Sequence, residues 1–110
     1  MNNITLIGNL GRDPEMKYFE SGKVKASFSI GVTRTKELTD WFNIECWGKT
    51  AETAGEYLRK GSKTGVVGSI YTDTYEKDGK QVQKITVNAN RIHLIGKKAE
   101  TQINDDELPF

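Results

Sequence analysis

The chain has 110 residues, 35% apolar and 28% charged, which allows one domain with a modest core and a short tail and leaves no stretch apolar enough to span a membrane. All 16 lysines and arginines fall in residues 1–98 beside 11 acids, a surplus of +5, whereas residues 99–110 carry Glu100, Asp105, Asp106 and Glu107 and no base. A basic body with an acidic tail fits a polyanion binder with a separate interaction segment, and a single cysteine, Cys46, excludes an internal disulfide framework.

The chain opens with Met1-Asn2-Asn3-Ile4 and no charged segment leading into an apolar run, so no secretory signal is expected and cytoplasmic residence follows. Ile4, Leu6 and Leu10 alternate with Thr5, Ile7 and Asn9 along a first strand, with Gly8 placed for a bulge or sharp bend. Gly11-Arg12-Asp13-Pro14 interrupts it, because Pro14 cannot donate to a ladder and Gly11 permits positive φ; the strand resumes through Met16 to Phe19. After a turn at Glu20-Ser21-Gly22-Lys23, Val24, Ala26, Phe28, Ile30 and Val32 form an apolar row in a second strand. A polar connection from Arg34 to Thr39 leads to the third.

That third strand, Asp40 to Trp47, sets Phe42, Ile44 and Cys46 on one face and Trp41, Asn43, Glu45 and Trp47 on the other. Two indoles on a polar face are covered by a partner subunit, cap the far side of a barrel, or form open platforms on which bases stack. From Thr50 to Lys60 the period becomes helical, with Ala51, Ala54, Tyr57 and Leu58 on one side, Thr50 placed to cap the start and Gly61 to end it. Val66 to Glu76, a tight turn at Lys77-Asp78-Gly79-Lys80, and Val82 to Ile95 make the last hairpin. Its returning strand changes parity between Ile85, Val87, Ala89 and Ile92, Leu94, which places a bulge near Asn90.

Five strands, the first bent, with a helix between the third and fourth, make an all-β Greek-key barrel of the OB type, whose sheet face binds oligonucleotides or oligosaccharides. Function rests on the side chains of that face. Trp41 and Trp47, with Tyr71 and Tyr75 sharing a parity in the fourth strand, form an aromatic set, and Arg34, Lys36, Lys49, Lys60 and Lys63 lie near the same strands and turns. Aromatic platforms interleaved with cations suit sequence-tolerant binding of single strands, since every base has a π-face and every nucleotide a phosphate. The bland readings are a half-buried barrel wall for each tyrosine and a solvated surface for each lysine. An enzyme is not expected: His93 is the only histidine, Cys46 lies on the core row without a basic neighbour, and no glycine-rich loop precedes a helix to cradle a phosphate. No cofactor or metal is expected either.

Ile4-Thr5-Leu6-Ile7-Gly8-Asn9-Leu10-Gly11-Arg12-Asp13-Pro14-Glu15, Asp40-Trp41 leading to Trp47-Gly48-Lys49, Glu56-Tyr57-Leu58-Arg59-Lys60-Gly61-Ser62 and the terminal Asp105-Asp106-Glu107-Leu108-Pro109-Phe110 stand in this order. Together they resemble the bacterial single-stranded DNA-binding protein family over nearly the whole chain. The resemblance implies an OB-fold domain over 1–96 and a short acidic tail over 97–110. It also implies assembly into a homotetramer that wraps single-stranded DNA and recruits replication, recombination and repair enzymes through its tip. In position, Trp41, Trp47 and Tyr75 match base-stacking aromatics, with Trp47 where many members have Phe, and Lys17, Lys49 and Lys60 match basic positions along the phosphates. The chain departs from the family in a shorter connection between Val32 and Trp41, in Tyr71 and Asp73 where basic residues are common, and in Phe42 where the subunit interface often has His. A primosome-type accessory protein and a sugar-binding barrel are the alternatives; neither accounts for the Asp-Asp-Glu-Leu-Pro-Phe ending.

Overall fold

In the computed structural model, which describes residues 1–96, the elements are β1 (Ile4–Leu10), β2 (Glu15–Tyr18), β3 (Val24–Thr33), β4 (Thr39–Trp47), α1 (Gly48–Tyr57), β5 (Lys63–Lys77) and β6 (Lys80–Gly96). The bent first strand is thus two strands, β1 and β2, which moves the helix to a place between the fourth and fifth. The sheet runs β1-β5-β6-β4-β3-β2, and β1 also pairs with β3 through Asn9 opposite Gly31 and Leu10 opposite Ile30. This second pairing closes the sheet on itself and leaves β2 attached outside the ring, along β3. The molecule is the all-β OB barrel expected.

Closure depends on glycine at Gly8, although not through a bulge. Gly8 keeps register with Thr64 on β5. A Cβ there would stand 2.5 Å from the Gly31 carbonyl oxygen, so the missing side chain lets β1 cross onto β3. Gly11 likewise has no positive φ; it makes room for a ring, as described below.

The apolar rows of β3 and β4 point inward. Val24, Ala26, Phe28, Ile30, Ile44 and Cys46 are buried with Leu10, Val66, Val87 and Ala89, and Ala51 and Ala54 of α1 close one end. Met16 of β2 packs against α1 where Gly55 has no side chain. Burial, then the Glu45 charge, pushes the Cys46 thiol up to about 11, so it stays protonated at neutral pH.

The helix starts earlier than its composition predicts. Gly48, at φ 61°, turns the chain straight from β4 into α1, so Trp47 occupies the N-cap without a side-chain bond. Thr50 therefore lies inside the helix, and its hydroxyl donates to the Asn90 carbonyl at 3.5 Å. At the other end α1 stops at Tyr57, which is half-exposed rather than packed, while Leu58 beyond it is buried. Gly61 takes a positive φ, but in the turn after the helix. Arg59 donates to the Gly55 and Leu58 carbonyls and satisfies the helix end.

The hairpin turn has positive φ at both Asp78 and Gly79, the requirement of a type I′ turn. The bulge expected near Asn90 is present. Val67 pairs with Arg91 and Gly68 with Ala89, so Asn90 is the extra residue. Ile85 and Leu94, read as members of the apolar row, are about half-exposed.

Candidate nucleic-acid interface

Strand pairing carries the polar face of β4 across its neighbours, because directly paired residues point to the same side of a sheet. Asn43 pairs with Thr86 of β6, which pairs with Tyr71 of β5, and Trp47 pairs with Lys25 of β3, which pairs with Lys17 of β2. Trp41, Trp47, Tyr71 and Lys17 therefore share one outer face. Tyr75 continues the parity of Tyr71 along the hairpin and is 45% exposed.

Trp41 is 60% exposed and lies over backbone. A Cβ on Gly31 would fall 3.0 Å from its ring, and one on Gly11 2.8 Å from it. Two glycines in β3 and the β1–β2 bend thus make a bare floor on which the indole rests.

Trp47, 44% exposed, is held by neighbours instead. Phe19 stacks on it with centroids 5.7 Å apart and an interplanar angle of 23°. Lys25 Nζ lies 5.6 Å from the Trp47 ring and Lys17 Nζ 5.2 Å from the Phe19 ring. Such ring and cation contacts orient an aromatic while leaving part of its surface open. Lys49 lies beside Trp47 at the start of α1, in a shallow hollow lined also by Lys23 and Val24.

Between the tryptophans stands Glu45. Tyr71 donates its hydroxyl to Glu45 Oε1 at 2.5 Å, and Lys25 Nζ lies 4.0 Å from Oε2. Partial burial, then the bond to Glu45 and its charge, pushes the Tyr71 phenol up to about 12.

The other cations are distributed differently. Arg34 grips Asp40 in a two-pronged pair, Nη2 to Oδ1 at 2.6 Å and Nε to Oδ2 at 3.0 Å, which holds Asp40 below the usual carboxylate range. The short connection uses that guanidinium to close itself. Lys36 is exposed in the same connection. Lys60 sits in the turn after α1, where its backbone N–H donates to the Asp13 carboxylate at 2.7 Å, and Lys63 opens β5 opposite Asn9. These two flank the turn that ties α1 to β1. Sequence reading passed over Phe19 and Lys25. The signal for both was parity: Phe19 follows Lys17 by two, and Lys25 heads the polar row of β3.

Residues 1–95 match the model of the single-strand binding protein family. The chain belongs to that family. It is 44% identical to a single-stranded DNA-binding protein 1 of Synechocystis sp., over 96% of this chain and 94% of the relative. A single-stranded DNA-binding protein 1 of Nostoc sp. is 41% identical over 91% of this chain and 87% of its own, and a single-stranded DNA-binding protein of Thermosynechococcus vestitus 37% over 94% and 90%. The candidate tail contacts Asp105, Asp106, Glu107, Leu108, Pro109 and Phe110 lie outside the described residues. Among the described residues, no helix is long and apolar enough to cross a membrane.

Proposed function

We propose that this family member binds single-stranded DNA on the outer face of β2, β3, β4 and the β5–β6 hairpin, without enzymatic activity, in the cytoplasm. The observation that carries this reading is the pair of exposed tryptophans on one strand face, Trp41 seated over two glycines and Trp47 braced by Phe19 with Lys25 and Lys49 beside it. Bases stack on Trp41, Trp47 and Tyr75, and Lys17, Lys25 and Lys49 follow the phosphates. Stacking makes the contact sequence-tolerant and excludes a duplex, whose base faces are covered. Arg34 contributes through the shape of the connection that Asp40 closes with it. Lys36, Lys60 and Lys63 add to the field that attracts the strand.

One barrel of this size offers little surface for wrapping a long strand, and a homotetramer supplies it; light scattering at micromolar concentration gives four chain masses, and a monomeric mass would refute this. Residues 97–110 form the separate partner-binding segment. Phe110 supplies a ring and Asp105, Asp106 and Glu107 supply negative charge, which suits an apolar pocket with a basic rim in a replication, recombination or repair enzyme. Deleting Phe110 abolishes that capture and spares DNA affinity.

The DNA reading is tested by titrating a single-stranded homopolymer at increasing salt. Log affinity falls against log salt with a slope of about −0.7 per phosphate neutralised. A flat dependence identifies a neutral ligand such as a sugar.

A further inference from the structure

The outer face contains a hollow of about 320 Å³ whose chemistry stacking does not use. Ser27, Asn43 and Glu45 line it together with a second carboxylate, Glu15, and the cations Arg12, Lys17, Lys25 and Lys84. The volume lies at the lower end of small-ligand pockets, roughly 300–1,000 Å³, which suits one nucleotide. A carboxylate at the middle of a surface for a polyanion repels phosphate, so the group that meets Glu45 is a donor. Lys17 and Lys25, held over Phe19 and Trp47 at its edge, face the flanking phosphates.

Glu45 is held for such a role. Its side chain is only 20% exposed, Tyr71 fixes Oε1, and Oε2 faces Lys25 at a distance too long for a hydrogen bond. An ionised carboxylate accepts only, at about four lone-pair positions, so both oxygens keep capacity after Tyr71 is counted. Of the four bases, guanine alone presents two adjacent N–H donors on its Watson–Crick edge, N1–H and N2–H, spaced for the two oxygens of a carboxylate. Adenine and cytosine present one amino group beside an acceptor, and thymine one N–H between two carbonyls. An unstacked base in a single strand has that edge free to be read.

We propose that Glu45 is a base-reading residue, which gives this otherwise sequence-tolerant surface a preference for guanine in the hollow that Glu45 lines. Tyr71 is the positioning residue that orients it. This rests on the single-strand reading above.

The test uses the full-length protein and three thymidine oligonucleotides longer than the binding site, carrying one central guanine, one central hypoxanthine, or neither. The protein chooses its register, so a preferred base reaches the hollow. Hypoxanthine keeps N1–H and lacks the N2 amino group. The wild type binds the guanine strand about fivefold or more tightly than the hypoxanthine strand, the discrimination of one well-made paired contact. Glu45→Gln, with one acceptor and one donor in place of two acceptors, binds the two equally. Equal binding by the wild type, or a guanine preference that persists in Glu45→Gln, overturns the assignment. Since the first comparison needs no variant, it stands whether or not the substitution folds. Failure to bind any of the three strands would instead refute the single-strand reading itself.

Discussion

Trp41 and Trp47 occupy one side of one strand, six positions apart, and are held by opposite means. At Trp41 the ring occupies the space that side chains on Gly31 and Gly11 would fill. Around Trp47 side chains are present: Phe19 stacks against it and Lys25 stands over it. An exposed aromatic can thus be oriented without burying it, either by clearing the ground below or by bracing it from the side. The first way costs nothing in exposed area but makes the glycines irreplaceable. The second tolerates change and brings charge to the platform.

Removing the rings themselves tests the comparison most strongly. Trp41→Ala and Trp47→Ala each weaken single-strand binding by about 1–3 kcal/mol, the loss of one base stack. At a rise of about 3.3 Å per residue the two lie roughly 20 Å apart, so the double variant shows the sum. Thermal unfolding stays cooperative, since neither ring belongs to the buried cluster. A single variant that lost all affinity would show that the two positions are not independent platforms.

Next in size is Gly31→Ala. Its methyl group would meet Thr39 Cγ2 at 2.9 Å and the Trp41 ring at 3.0 Å, so the indole must tilt. The expected loss is on the order of 1 kcal/mol of binding, less than removing the stack itself. The added Trp41→Ala change then costs less than it does alone. Phe19→Leu removes an aromatic pairing of about 0.5–1.5 kcal/mol and shifts Trp47 emission while leaving Trp41 in place. Lys25→Gln removes a cation–π contact of about 0.5–1 kcal/mol and lowers the salt slope by about 0.7 if that lysine neutralises one phosphate.

The smallest effect is in alkali, at the link between the two platforms. Tyr71 is raised from 10.0 to about 12 in the folded chain, so folding favours its protonated form. Its contribution is complete below about pH 10 and is lost as pH rises from there to about 12. Stability measured across that window declines less in Tyr71→Phe than in the wild type.

Much of this arrangement is legible in the sequence, because a period of two is unambiguous wherever one face is apolar. Phe42, Ile44 and Cys46 point inward and the tryptophans outward, and the parity change at Asn90 marks a bulge. The helix ends were not legible. Threonine is a good cap by composition, but Gly48 at positive φ moves the cap three residues sooner, to Trp47, and tertiary contact decides the last turn. The glycine floor was hidden for a different reason: Gly11 and Gly31 are twenty residues apart, and only strand pairing brings both under Trp41. Arg34 reads as a free cation until the chain folds Asp40 against it.

Intrinsic fluorescence tests the central claim most directly, since both tryptophans of the chain lie on the proposed surface. A single-stranded homopolymer is titrated into the protein, and then a duplex of the same length at the same salt. The account predicts saturable quenching by the single strand, divided between Trp41 and Trp47 in the two single variants, and little by the duplex. Equal quenching by duplex, or undiminished affinity of the double Trp41→Ala, Trp47→Ala variant for a dye-labelled single strand, would contradict it.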